Sequence, residues 1–386
     1  MRILLISTSP VQAHGGREAA GTFIGDLAAA LTRLGIKVAI VAPSEQPATT
    51  HECWNGVATL FTYQVPRLPL ASLKLTSLSD WPRIWQTLRA GRSRVAVALR
   101  AFAVDHQLAL WTLPSGYWAR LEGRRLGIGY DVWALGSDIW TLGRIPGVRS
   151  FLRGVLRDAR HRYADGVALS EQVHALARVD CEFLPSSRWL PVSAHIYNDS
   201  VPGVGYKLVF LGRWHINKGV DLLLEALELL DRVSWMKIRS VTIAGGGPLE
   251  EEVLSAVDRL RHQDRPVSVL GYLDTSQAGA FLQASDFVLI PSRIESVPLI
   301  FSDAMQAGRP VVSMPVGDLH ELVERYQCGT CASAVDAVAF AEALKAALTR
   351  GPESWSNGTA MAAAAFSIDT TASRLVDRWA RLKETA

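Results

Sequence analysis

Short apolar runs of strand length alternate with longer amphipathic runs twice over along these 386 residues, and this alternation restricts the fold more than any single motif. "MRILLIS", "KVAIVA", "VATLFTY", "QLALW", "YDVWAL" and "GVALS" read as strands, and most precede helical segments such as 18–34, which Gly35 ends. Repeated strand–helix units build a mostly parallel sheet with helices on its faces. After an irregular stretch at 184–205 the pattern restarts with "YKLVFLG", "SVTIAG", "PVSVLG", "DFVLIP" and "PVVSM". The expected fold is therefore α/β, with two doubly wound, Rossmann-like domains facing across a cleft. Their expected extents are 1–190 and 205–355, and the tail 356–386 is expected to return to the first domain. Ligands of such sheets bind at the carboxyl ends of the strands, so the active site is expected there.

Composition narrows the class. With 49% hydrophobic and 20% charged residues, the chain is that of a well-packed protein too long for one ordinary core. No apolar run approaches 18 residues and no charged leader precedes "RILLIS", so neither a membrane span nor a signal peptide is expected. Four scattered cysteines fit a reducing cytoplasm. Cys328 and Cys331 form C-G-T-C, but no second ligand pair at matching spacing follows to complete a zinc site.

Charge is distributed unevenly. Residues 1–193 hold 22 Lys and Arg against 14 Asp and Glu, net +8, while the remainder holds 18 against 23. Seven cations lie between Arg67 and Arg100, and six arginines between Arg144 and Arg162. Such a surface suits an anionic membrane or phosphorylated acceptors, or is simply a solvated helix face. No nucleic-acid recognition motif accompanies it, so no nucleic-acid partner is expected.

Two loops carry chemistry. In "GRWHINKGVD", Arg213 leaves a strand and Lys218 precedes a helix whose positive end lies beside it, so two cations converge where a diphosphate could be held. In "PSRIESVPLIFSDAMQAGRPVV", Ser296 is expected to cap a helix from Val297 to Ala307. The amides of Ser296, Val297, Pro298 and Leu299 occupy the first turn, where all but the proline can donate to a phosphate or sugar hydroxyl. Glu295 stands just before them, and Asp303 returns to the same face about 10 Å along the axis. A sugar at one carboxylate and a ribose at the other would match that separation.

These stretches, with "IAGGGPLEEEV", resemble the retaining glycosyltransferases of family four, which have the GT-B fold. "TSPVQAHGGREAAGTFIGDLAAAL" and "ALGSDIW" are similar to that family's glycine loop and G-S-D stretch. The resemblance implies a nucleoside diphosphate sugar as donor and a glycan, lipid-linked or small-molecule hydroxyl as acceptor. It places the diphosphate on Arg213 and Lys218, the donor sugar on Glu295 and the amides after it, and the ribose on Asp303. Gly15 and Gly16 would approach the phosphate from the first domain, and Gly271 and Tyr272 would lie by the base. Asp138, in the G-S-D stretch, is an accessory candidate. No D-x-D triplet occurs, so the expected reaction uses neither metal nor cofactor, the two cations neutralising the leaving group.

Two positions depart from the family. The second carboxylate of its E-x7-E is Asp303 here, and "LWTLPSGYW" carries no His where many members have one. His14 and His215 are the nearby candidates to substitute for it. The alternative reading is a catalytically silent homologue that binds a nucleotide sugar or a partner enzyme.

Overall fold

The computed structural model describes residues 1–11, 21–66, 77–191 and 205–384, which fall into two compact units. The first runs to Ser186 and includes the chain from Ile368 onward; the second contains Ser187–Ser367. Both are α/β units built on a predominantly parallel sheet.

In the first unit the strands are β1 (Arg2–Ile6), β2 (Lys37–Ser44), β3 (Thr50–Trp54), β4 (Ala58–Gln64), β5 (His106–Leu110), β6 (Tyr130–Ala134), β7 (Arg162–Ala164) and β8 (Glu182–Phe183). They order as β3-β4-β2-β1-β5-β6-β7-β8, and among the described residues only β3 runs antiparallel to its neighbour. The hairpin joining β3 to β4 turns at Asn55 and Gly56, both at positive φ, an Asn-Gly signal of the kind that suits a two-residue turn. Apolar side chains from alternate positions of β1, Leu4 and Ile6 on one face and Ile3 and Leu5 on the other, enter two separate core clusters.

"GVALS" is not a strand. The strand of that region is β7, and Val167–Ala177 is a helix beginning after extended Gly166. Five apolar residues fit either structure; what decides is the burial of Leu169, Val173, Leu176 and Ala177 at helical spacing.

The helix Ile368–Glu384 packs within this unit. Its Trp379 is fully buried and donates from Nε1 to Asp131 Oδ2 at 2.8 Å, while Arg374 and Arg378 both bond Glu182 on β8, at 2.7 and 2.6 Å. The same Asp131 carboxylate lies 3.0 Å from His106 Nε2 and accepts from the His161 amide at 3.0 Å. Of the tail segment, the helix Ser356–Ala365 belongs to the second unit, where it packs beside the helix Leu299–Gln306.

The second unit's strands are β9 (Tyr206–Arg213), β10 (Ile238–Gly246), β11 (Val267–Leu270), β12 (Phe287–Ile290), β13 (Val311–Ser313) and β14 (Gly329–Cys331). They order as β11-β10-β9-β12-β13-β14, all parallel. The chain therefore winds outward one way from β9, then returns and winds the other way from β12. C-G-T-C supplies the edge strand β14, and burial pushes the Cys328 thiol up to about 12, which keeps it a protonated packing group at neutral pH. Among the described residues no helix is long and apolar enough to cross a membrane.

Candidate active site

The reversal of winding between β9 and β12 leaves a crevice at their carboxyl ends, the place where open parallel sheets bind ligands. Both chemistry-bearing loops leave the sheet there. After β9, Trp214 is buried and His215 is extended, its Nδ1 accepting the Asn217 amide at 3.1 Å to start a short turn through Lys218. Gly219 then adopts φ +67°, and the helix Val220–Glu228 begins. A Cβ at Gly219 would lie 1.9 Å from the carbonyl oxygen of Pro291, so the two loops touch backbone to backbone at this point.

That contact brings Lys218 to Glu295. The Lys218 ammonium donates to Glu295 Oε1 at 2.5 Å, and Ser292 Oγ donates to the same oxygen at 2.9 Å. Among the described residues both hydrogen bonds to Glu295 fall on Oε1, which leaves Oε2 its acceptor capacity. Lys218 is 38% exposed and Glu295 11%, so the carboxylate is largely shielded from solvent while the cation stays half-exposed. Arg213, at the end of β9, is exposed and makes no ion pair among the described residues.

Arg293 is a site residue that sequence reading missed. Its guanidinium clasps Asp221 with two bonds of 2.8 and 2.6 Å and reaches the Ile216 carbonyl at 2.7 Å, while its amide bonds the Asn217 carbonyl at 2.8 Å. It staples the β12 loop to the β9 loop. An arginine between two loop residues, with its acid 72 positions away, leaves no local signal.

The helix after Glu295 starts later than expected. It spans Leu299–Gln306 with Pro298 at its cap, and Ser296 makes no helix cap. The ring of Pro298 holds φ near −71° and disfavours helical backbone at Val297, so the turn is delayed past it. Ser296 instead offers its carbonyl to the Asp318 amide at 3.2 Å, tying the Glu295 loop to the segment after β13. The donors at the opening of the helix are consequently those of Leu299 and Ile300 rather than Ser296 and Val297.

Gly271 and Tyr272 follow β11, with Gly271 facing open space. The Tyr272 ring rests on the bare backbone of Gly246, where a Cβ would lie 2.7 Å from it. Asp303 lies inside the helix, 1% exposed, its carboxylate gripped by Arg188 at 2.5 to 3.1 Å. Burial pushes its carboxyl above the usual carboxylate range, against the pull of that guanidinium.

In the first unit, Asp138 is buried and accepts from the Thr112 amide at 2.5 Å and the Leu135 amide at 3.3 Å, so it pins the turn that follows β5. Burial raises its pKa, with those bonds opposing. His14, Gly15 and Gly16 lie outside the described residues. Among the described residues no group of three or more His, Cys, Asp or Glu side chains is disposed to hold a metal ion.

Residues 205–350, which include both loops, match the family model described as Glycosyl transferases group 1. Glycogen synthase of Mycobacterium tuberculosis is 30% identical over 142 residues, 37% of this chain and 34% of that protein, so the match spans about a third of that relative's length. D-inositol 3-phosphate glycosyltransferase of Pseudarthrobacter chlorophenolicus is 24% identical over 366 residues, covering 89% of this chain and 86% of the relative. Among solved structures, sucrose-phosphate synthase from Thermosynechococcus elongatus superposes with a TM-score of 0.76 at 16% identity, covering all of both chains. Anabaena HepE in complex with UDP-glucose gives 0.69 at 16% identity, covering 99% of this chain and 100% of that one. The architecture and the solved structures agree on the fold: the chain has the GT-B fold, and its second unit is similar to Glycosyl transferases group 1.

Proposed function

We propose that the protein transfers a sugar, with retention of anomeric configuration and without a metal ion, from a nucleoside diphosphate sugar to an acceptor hydroxyl on a glycan, a lipid-linked saccharide or a small molecule. The observation that carries this reading is the Lys218–Glu295 pair at the reversal point of the second sheet, on the loops that follow β9, which ends at Arg213, and β12. A cation facing a leaving diphosphate and a carboxylate facing sugar hydroxyls are the two functions such a transfer needs from one domain. The complex of HepE with UDP-glucose supports a nucleotide sugar as the donor class.

In this mechanism the C1–oxygen bond to the diphosphate breaks as the acceptor oxygen bonds C1 from the same face. The acceptor proton passes to the departing phosphate oxygen, so no protein base is required. Lys218 and Arg213 stabilise the charge that develops on the diphosphate; one such contact at about 4 Å is worth roughly 4 kcal/mol at an effective dielectric of 20. Glu295 Oε2 accepts from sugar hydroxyls, while the bond on Oε1 fixes the carboxylate's direction. The amides opening the helix Leu299–Gln306 add donors near the phosphate.

We also propose a cytoplasmic location with peripheral contact to an anionic membrane. The helix Trp81–Ala101 turns Trp85, 60% exposed, and Arg89 and Arg100 away from the core, and Leu78 before it is 86% exposed. Not all of the basic stretch faces outward: Arg92 bonds Glu122 at 2.6 Å, and Arg94 bonds Thr50 at 2.6 Å and stacks over Phe61. The membrane-facing set is therefore aromatic at the start of the helix and basic along it.

The test of the transfer reading is calorimetric binding of UDP-, GDP- and ADP-sugars to wild type and Lys218→Ala, followed by NMR of the product anomer. Binding of one donor, its loss in Lys218→Ala and a retained anomer are expected. An inverted product would refute retention, and donor binding untouched by the substitution would refute the assignment of Lys218.

A further inference from the structure

We propose that Arg188 sets the nucleotide specificity of this site by withholding the Asp303 carboxylate from the ribose, so that the donor is recognised through its diphosphate and sugar and its ribose hydroxyls go unread. This rests on the donor-site reading above and adds to it a rule for which nucleotides bind.

The guanidinium approaches Asp303 with two nitrogens: Nε lies 3.1 Å from both carboxylate oxygens and Nη2 lies 2.5 Å from Oδ2. Arg188 is 12% exposed and Asp303 1%, so the pair is shielded from water on both sides. The segment carrying Arg188 is held independently of that pair. Gln306 Nε2 donates to the Arg188 carbonyl at 2.9 Å, and the Leu190 amide donates to Gln306 Oε1 at 3.2 Å. Asp303 and Gln306 are three residues apart on one helix face, so this segment is clipped to the helix Leu299–Gln306 at two successive turns. Ser187 and Leu190 are buried beside it, which leaves Arg188 a fixed origin.

The exchange a ribose would require is unfavourable. Two neutral hydroxyls would replace a charge-assisted, two-pronged bond between two shielded side chains, and that charge-assisted pairing would be lost. The side chain is also about 1.5 Å shorter than a glutamate, which keeps it back toward Arg188. A carboxylate that is already charge-paired, desolvated and short does not read a ribose.

The experiment is calorimetry of the wild-type protein with UDP, GDP and ADP and with their 2′,3′-dideoxy counterparts. Whichever diphosphate binds, its dideoxy form is expected to bind within threefold. A larger loss overturns the proposal. In Arg188→Met, which keeps the length of the stem and removes the guanidinium, discrimination against the dideoxy form beyond threefold is expected; its absence removes Arg188 from the role. Asp303→Asn keeps the shape and is expected to bind the ribonucleotide within threefold of wild type while melting lower, and a larger loss of affinity again overturns the proposal. A purely structural ion pair would move the melting temperature of Arg188→Met but leave its ribose discrimination unchanged. Failure of all three diphosphates to bind would instead strike the donor-site reading, and this inference with it.

Discussion

Replacing Gly219 with alanine tests the geometry of the site at one atom. At φ +67° an L-residue costs roughly 1–2 kcal/mol relative to its ordinary backbone region. The new Cβ would also stand 1.9 Å from the Pro291 carbonyl oxygen, where carbon–oxygen contacts settle near ~3.3 Å, so the β9 and β12 loops must part by about 1.4 Å. Lys218 and Glu295 ride on those loops, and a misplacement of about 1 Å at a reacting centre costs on the order of 10²-fold in rate. For a unit of this size a loss of about 2 kcal/mol lowers the melting temperature by roughly 4–8 °C. Gly308→Ala is the control, because Gly308 has φ +68° with nothing within 4 Å of the built Cβ. It carries the backbone cost without the collision. Donor turnover and melting temperature are measured on both. Gly219→Ala is expected to lose about 100-fold in turnover and Gly308→Ala almost none, with both melting lower. Turnover of Gly219→Ala within twofold of wild type, or an equal loss in both variants, would refute the reasoning.

The Asp131 carboxyl is buried, which alone would raise its pKa, but hydrogen bonds from His106 and His161, with Trp379, hold it well below the usual range. A carboxyl depressed on folding contributes stability that is present above its unfolded value near ~3.9 and fades as pH falls below it. Asp131→Asn is therefore expected to melt lower at pH 7, losing roughly 1.5–3 kcal/mol, with the gap to wild type narrowing below about pH 4; a gap constant from pH 7 to pH 3 argues against this. Trp81→Ala with Trp85→Ala is expected to reduce sedimentation with anionic vesicles at low salt while leaving donor binding intact. Equal sedimentation of wild type with neutral and anionic vesicles would sink the membrane proposal. Chelation with EDTA is expected to leave turnover unchanged under the proposal that Arg213 and Lys218 supply the charge; activity lost and then restored by magnesium would contradict it.

Local pattern in the chain determined the two parallel-sheet units, because an apolar strand followed by an amphipathic helix is dictated by residues within a few positions of one another. It also determined the turn at Gly219 and the nearness of Lys218 to a strand end, since these depend on backbone freedom and on spacing along one loop. Where local signals competed, the reading slipped by a few residues: "GVALS" fits helix and strand alike, and Pro298 outweighs Ser296 as the start of its helix. What only the tertiary structure decided are partners distant in sequence. Arg188 meets Asp303 across 115 positions, Arg293 meets Asp221 across 72, and Trp379 meets Asp131 across 248. A charge or an indole nitrogen carries no mark of its partner in the chain. The partner is chosen by the desolvation that packing imposes, because a polar group buried on folding must be matched by whatever the other elements bring to it. Sequence therefore located the two loops, and packing decided that Glu295 pairs with Lys218 and Asp303 with Arg188.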